Sequence, residues 1–84
     1  MKLTFSSQSW DDYLYWQQTD KKIVKRINEL IKDIQREPFA GKGKPEPLKY
    51  NLTGFWSRRI TEEHRLVYAV TEHAIMIAAC RYHY

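Results

Sequence analysis

Phe55-Trp56-Ser57-Arg58-Arg59-Ile60-Thr61-Glu62-Glu63-His64-Arg65-Leu66-Val67-Tyr68 is the stretch that decides how the chain folds. Two runs rich in aromatic and β-branched residues flank the polar segment Thr61-Glu62-Glu63-His64, the pattern of two short strands joined by a turn. Side chains along a strand alternate between faces. Phe55, Ser57 and Arg59 therefore share one face, and Trp56, Arg58 and Ile60 the other; across the turn, Arg65, Val67 and Ala69 alternate with Leu66, Tyr68 and Val70. A guanidinium stays charged and is costly to bury without partners. Three arginines in two adjacent strands thus predict that at least one sheet face is exposed and basic.

Downstream, Thr71-Glu72-His73 makes a tight connection, and Ala74 to Cys80 is a nearly continuous apolar run, predicted to be a central strand. Upstream, Lys49 to Gly54 leads into the hairpin through a turn at Asn51 to Gly54. The segment Pro38 to Leu48 holds all three prolines and two of the three glycines, so it is predicted to be a loop. Its Gly41-Lys42-Gly43 lacks the strand, the spacing and the Ser/Thr of a phosphate-binding P-loop. Glu46 lies between Pro45 and Pro47, which restrict the backbone and can hold its carboxylate in a fixed direction.

The first half of the chain is helical by pattern. Ile23, Val24, Ile27, Leu30, Ile31 and Ile34 recur at steps of one, three and four behind a Thr19-Asp20 cap, which predicts an amphipathic helix that stops near Arg36-Glu37, ahead of Pro38. A shorter helix is expected to start at Ser9, with Asp11 and Asp12 in its first turn and Trp10, Tyr13, Leu14 and Gln17 packing as a core cluster. Lys2 to Phe5 reads as an edge strand. The order strand, helix, helix and then a meander of strands predicts an α+β fold, a small antiparallel sheet with two N-terminal helices on one face. Residues 1–84 are expected to form one domain.

Composition narrows the function. Hydrophobic residues make up 43% and aromatics 14%, as in a folded protein. No apolar run approaches the ~18 residues of a membrane span, and no signal-peptide pattern follows Met1-Lys2, so a soluble, cytoplasmic protein is expected. Cys80, the only cysteine, excludes an internal disulfide and a cysteine-based zinc site, and reads as a small buried hydrophobe. The formal charge is +4; there are seven Lys/Arg against six Asp/Glu up to Gly41 and seven against four beyond it. The excess in the second half favours a polyanionic partner such as nucleic acid.

With helices on one face, ligand groups are sought on the other face and its rims: Glu46, Lys49, Arg59, Arg65, Arg81, His83 and Tyr84. A carboxylate, an imidazole and several cations are the set needed for metal-free RNA cleavage. A base takes the 2′-hydroxyl proton, cations stabilise charge on the phosphorus oxygens, and an acid protonates the leaving 5′-oxygen. Tyr82 and Tyr84 could stack an unpaired base. His64, His73 and His83 show no ligand spacing, so no metal and no cofactor is expected; His73 reads as a turn residue and His64 as a surface one.

The segments Glu-Pro-Leu-Lys (46–49), Gly-Phe-Trp-Ser-Arg-Arg-Ile (54–60), Glu-Glu-His-Arg-Leu-Val-Tyr (62–68) and Cys-Arg-Tyr-His-Tyr (80–84) closely resemble the YoeB toxins of the RelE superfamily. The likeness extends to Ser-Trp-Asp-Asp-Tyr-Leu-Tyr-Trp (9–16) and hence to the whole chain. It implies a type II toxin–antitoxin component that cleaves messenger RNA in the ribosomal A site. Matched residue by residue, it implies Glu46 as general base, Arg65 as transition-state cation and His83 as general acid, supported by Lys49, Arg59 and Tyr84. It further implies a YefM-type antitoxin whose disordered tail folds over the toxin, and it allows a homodimer. Two rivals share parts of the pattern: a ParE-type toxin that binds DNA gyrase, and an RNA-binding module without chemistry. A gyrase inhibitor has no need of an acid, a base and a clustered arginine.

Overall fold

The computed structural model describes residues 1–82. In chain order it contains β1 (Lys2–Phe5), α1 (Ser7–Thr19), α2 (Lys21–Arg36), β2 (Glu46–Pro47), a single 3-10 turn (Tyr50–Leu52), β3 (Phe55–Arg59), β4 (Arg65–Val70) and β5 (Ala74–Ala79). The five strands form one sheet in the order β1-β5-β4-β3-β2. All neighbours are antiparallel except β1 and β5, which run parallel, so the expected antiparallel sheet carries one parallel edge. The predicted edge and central placements of β1 and β5 both hold.

Helix α2 realises the apolar spacing read from the sequence. Asp20 caps it by accepting the Lys22 N–H at 3.1 Å; Ile27, Leu30, Ile31 and Ile34 are buried, and Ile23 and Val24 pack half-buried beside them. Glu37 is already extended (φ −150°, ψ 103°), the geometry favoured before a proline. Opposite this stripe lie Ile60, Leu66, Tyr68, Ile75, Ile77 and Cys80. Each fully buried aliphatic side chain there contributes about 1.5–3 kcal/mol of transfer free energy.

Helix α1 departs from expectation. Its cap is Ser6, whose Oγ accepts the Ser9 N–H at 3.1 Å, so the helix starts at Ser7 and not at Ser9. Trp10 is 48% exposed and stacks on Tyr13 at its surface; the inward stripe is Ser9, Asp12 and Trp16. The reason is that α1 docks on β5 by hydrogen bonds as well as by packing. Ser9 Oγ donates to the Ile77 carbonyl (2.7 Å), Asp12 Oδ2 accepts the Cys80 N–H (3.0 Å), and Trp16 Nε1 donates to the Cys80 carbonyl (2.9 Å). Buried backbone groups need such partners. Cys80 is buried as predicted, and burial pushes its thiol up to about 12.

The segment expected to be wholly loop contains the short edge strand β2. Two prolines hid it, yet an edge strand tolerates residues that cannot donate on its open side.

Candidate active site

The register of the sheet brings the sequence-predicted groups together. Glu46 pairs with Ser57, and Ser57 with Val67, so these residues form one row on the face turned away from the helices. Arg59 lies directly opposite Arg65 two residues along the same face. Cβ atoms so placed are about 5 Å apart, and like charges there repel. Arg59 Nε is buried without a hydrogen-bond partner among the described residues. Arg65 Nη1 is held by the carbonyls of Thr61 (2.7 Å), Glu62 (2.9 Å) and His64 (3.2 Å), which fixes the plane of its guanidinium. Glu46 and Lys49 are exposed and line a groove of about 430 Å³ with Leu48, Tyr50 and Leu52. The row between the charges is not bare, since Ser57 and Val67 are buried.

The third hairpin arginine has the opposite fate. Arg58 faces the helices and is fully buried, on the face opposite Arg59 as alternation expects, although a buried guanidinium is costly without partners. Its burial is possible because every guanidinium N–H has a partner. Nε donates to Tyr68 Oη (3.1 Å), Nη1 to Asp33 Oδ2 (2.6 Å) and the Lys42 carbonyl (3.1 Å), and Nη2 to the carbonyls of Glu37 (2.7 Å) and Ala40 (3.0 Å). The Lys42 N–H, Arg36 and Arg58 together hold the Asp33 carboxyl well below the usual carboxylate range. Burial pushes the Tyr68 phenol up, and its hydroxyl donates to the Pro38 carbonyl at 2.7 Å. This cluster ties residues 37–42 to the core just ahead of Glu46. Gly43 completes the tie at φ 79°: its carbonyl accepts the Arg59 N–H (2.7 Å), and a Cβ there would meet Leu30 Cδ2 at 3.0 Å and the Arg59 carbonyl at 3.1 Å. The Gly-Lys-Gly run thus serves close packing.

The model of the YoeB-like toxin of bacterial type II toxin–antitoxin systems matches residues 5–84. The chain belongs to this family. It is 79% identical to Toxin YoeB of Escherichia coli strain K12, with both chains covered in full. Among solved structures it is similar to the YoeB dimer from Staphylococcus aureus, at 59% identity and a TM-score of 0.94. It is similar also to the YoeB in the YoeB–YefM complex of that organism, at 58% identity and a TM-score of 0.92. Each alignment covers 100% of this chain and 98% of the other.

For this YoeB-like toxin, Glu46, Lys49, Arg59 and Arg65 thus lie on or beside one sheet face, while His83 and Tyr84 lie outside the described residues. The segment leading to them is held closely. Arg81 lies 3.6 Å from the Tyr15 ring centroid and 4.9 Å from that of Tyr82, and Arg65 N–H donates to the Tyr82 carbonyl at 3.1 Å. His64, expected at the surface, is only 8% exposed and packs edge-on against Trp16 with ring centroids 4.8 Å apart. No local pattern pointed to it, since its partners Trp16 and Tyr82 are distant in sequence. Arg58 did carry a signal, because alternation placed it with Trp56 and Ile60.

Among the described residues no three His, Cys, Asp or Glu side chains converge as metal ligands, and no helix is long and apolar enough to cross a membrane.

Proposed function

We propose that this toxin is an endoribonuclease that cuts messenger RNA in the ribosomal A site and so stops translation in the cytoplasm. Glu46 takes the proton of the 2′-hydroxyl, and the freed oxygen attacks the adjacent phosphorus. The O2′–P bond forms as the P–O5′ bond breaks. Arg65, with Arg59 and Lys49, stabilises the charge that builds on the non-bridging oxygens, and His83 gives its proton to the departing 5′-oxygen. Tyr84 supports the substrate beside His83. The nucleophile belongs to the RNA, so this first step calls on neither a metal ion nor an activated water.

The observation that carries this reading is the Arg59–Arg65 pair, two like charges matched across the ladder on the same face as Glu46, where such neighbours tend to repel. A phosphate between the two guanidinium groups turns that repulsion into two attractions. The neighbouring YoeB–YefM and YoeB dimer structures support a YefM-type antitoxin and a homodimer for this toxin as well.

The test is a message with a single 2′-deoxy nucleotide at the scissile position, read in the A site of an otherwise normal ribosome. It should be decoded and left intact, whereas the all-ribose message should yield a 2′,3′-cyclic phosphate, or the 3′-phosphate it opens to, and a 5′-hydroxyl. Cleavage of the deoxy message, or a 5′-phosphate on the downstream fragment, refutes the mechanism. An all-ribose message that stays whole with toxin bound points to a binding module.

A further inference from the structure

The mechanism leaves one buried imidazole unused. His64 sits in the β3–β4 turn, and its Nδ1 accepts the Tyr82 N–H at 2.7 Å. An acceptor at Nδ1 requires a lone pair there, so the ring is neutral with its proton on Nε2. Nε2 lies 3.4 Å from Glu63 Oε1. The ring is wedged between Trp16 and Tyr82, with centroids 4.8 and 5.1 Å away. From the other side the Arg65 N–H donates to the Tyr82 carbonyl at 3.1 Å. Tyr82 is thereby held at both its N–H and its C=O, in a left-handed conformation (φ 62°) that costs a non-glycine residue energy and persists only when its surroundings impose it. Tyr82 is the residue immediately before His83.

We infer that His64 is a positioning residue: its Nδ1, acting with the Arg65 N–H, locks the backbone of Tyr82 and so sets where the chain delivers the general acid His83. The inference rests on the role proposed above for His83. It also explains why the turn between the two active-site strands carries an imidazole in place of an aliphatic side chain. Trp16 and Tyr82 could pack against a leucine, but a leucine offers no acceptor. Neighbouring groups fit the same purpose, since Asp12 and Trp16 bond both backbone groups of Cys80, and Tyr15 stacks on Arg81. A proton-transfer group displaced by about 1 Å loses rate on the order of 100-fold without losing substrate binding.

The test compares His64→Asn, whose side-chain oxygen falls near the Nδ1 position, with His64→Gln, whose amide falls near Nε2, and with His64→Leu. Exchange of the Tyr82 amide proton in the isolated toxin reads the lock directly, and ribosome-dependent cleavage reads its consequence. His64→Asn should keep Tyr82 protected and keep most of kcat. His64→Gln and His64→Leu should lose that protection and drop kcat on the order of 10-fold to 100-fold at an unchanged KM. Unchanged Tyr82 exchange in His64→Gln overturns the lock; fast exchange with wild-type kcat overturns its positioning role. If the Asn and Gln variants are equally active or equally impaired, the inference also falls. A His83→Gln toxin run alongside separates the two levels, because wild-type cleavage by that variant defeats the proposed mechanism whatever Tyr82 does.

Discussion

Replacing Arg58 by methionine tests the cluster on which the site is mounted. The side chain has no exposure, and its five N–H groups meet five acceptors. Methionine fills much of the volume and satisfies none of them. The loss is smaller than the sum of five bonds, because Asp33 keeps the Lys42 N–H and Arg36, and Tyr68 Oη keeps the Pro38 carbonyl. Removing one partner of a buried ion pair costs about 3–5 kcal/mol. A chain of this length has roughly 4–12 kcal/mol in total. At about 4–8 °C per kcal/mol, the melting temperature should fall by roughly 12–40 °C. Urea unfolding followed by circular dichroism at neutral pH measures this, and Arg58→Lys should fall between the two, with three donors for five acceptors. A cost below about 1 kcal/mol for Arg58→Met refutes the account, given that unsatisfied buried groups cost about that much each. The acid side gives a second reading of the same cluster. The folded pKa of Asp33 is depressed, so its contribution is complete above the unfolded value of about 3.9 and fades as pH falls below it towards the folded pKa. Asp33→Asn should flatten that part of the stability curve; a curve unchanged there removes Asp33 from the acid transition.

The remaining predictions concern the outer face. Glu46→Ala and His83→Gln should each abolish cleavage while leaving melting curves nearly unchanged, since Glu46 is exposed and outside the core, and wild-type rates in both would defeat the acid–base assignment. Arg65→Lys should be severely impaired although charge is kept, because an ammonium cannot make two parallel bonds to phosphate oxygens; full activity would reduce Arg65 to a point charge. Removing the Arg65, Arg59 and Lys49 charges together should weaken antitoxin binding in low salt, as expected if an acidic and apolar segment folds onto this face, and an unaffected affinity would place the antitoxin elsewhere.

Elements with a period were legible in the sequence. The stripe of α2, the hairpin alternation and the apolar run of β5 each repeat over several residues, and each formed where expected. What failed was set by partners distant in the chain. Ser9 resembles a helix cap locally, but the Ile77 carbonyl, 68 residues away, takes its hydroxyl. His64 resembles a surface turn residue until Tyr82 N–H meets it. Glu46 was not legible as part of a strand, because its ladder partner is β3, distant from the local pattern, and its flanking prolines argue for a loop. The candidate site was legible mainly through resemblance: alternation assigned faces within each strand, but only the register matches Arg59 with Arg65 and brings Glu46 onto the same face.

Arg58 and Arg59 are adjacent in sequence, and the alternation of a strand sends them to opposite sides of one sheet. Inside, Arg58 has a partner for every N–H, so it has no donor left for a ligand, and its worth is structural. Outside, Arg59 keeps a buried Nε without a partner among the described residues and faces the like charge of Arg65. The magnitudes explain how both can persist. A cross-strand repulsion costs about 0.2–1 kcal/mol, against the ~3–5 kcal/mol lost when the buried pair is broken. The fold can therefore carry two cations side by side on the outer face because the neighbouring arginine secures β3, α2 and the loop before Glu46 from behind. An anion bound between Arg59 and Arg65, as the proposed mechanism requires, would meet two cations that the strand register already places on one face, so less ordering would accompany its binding.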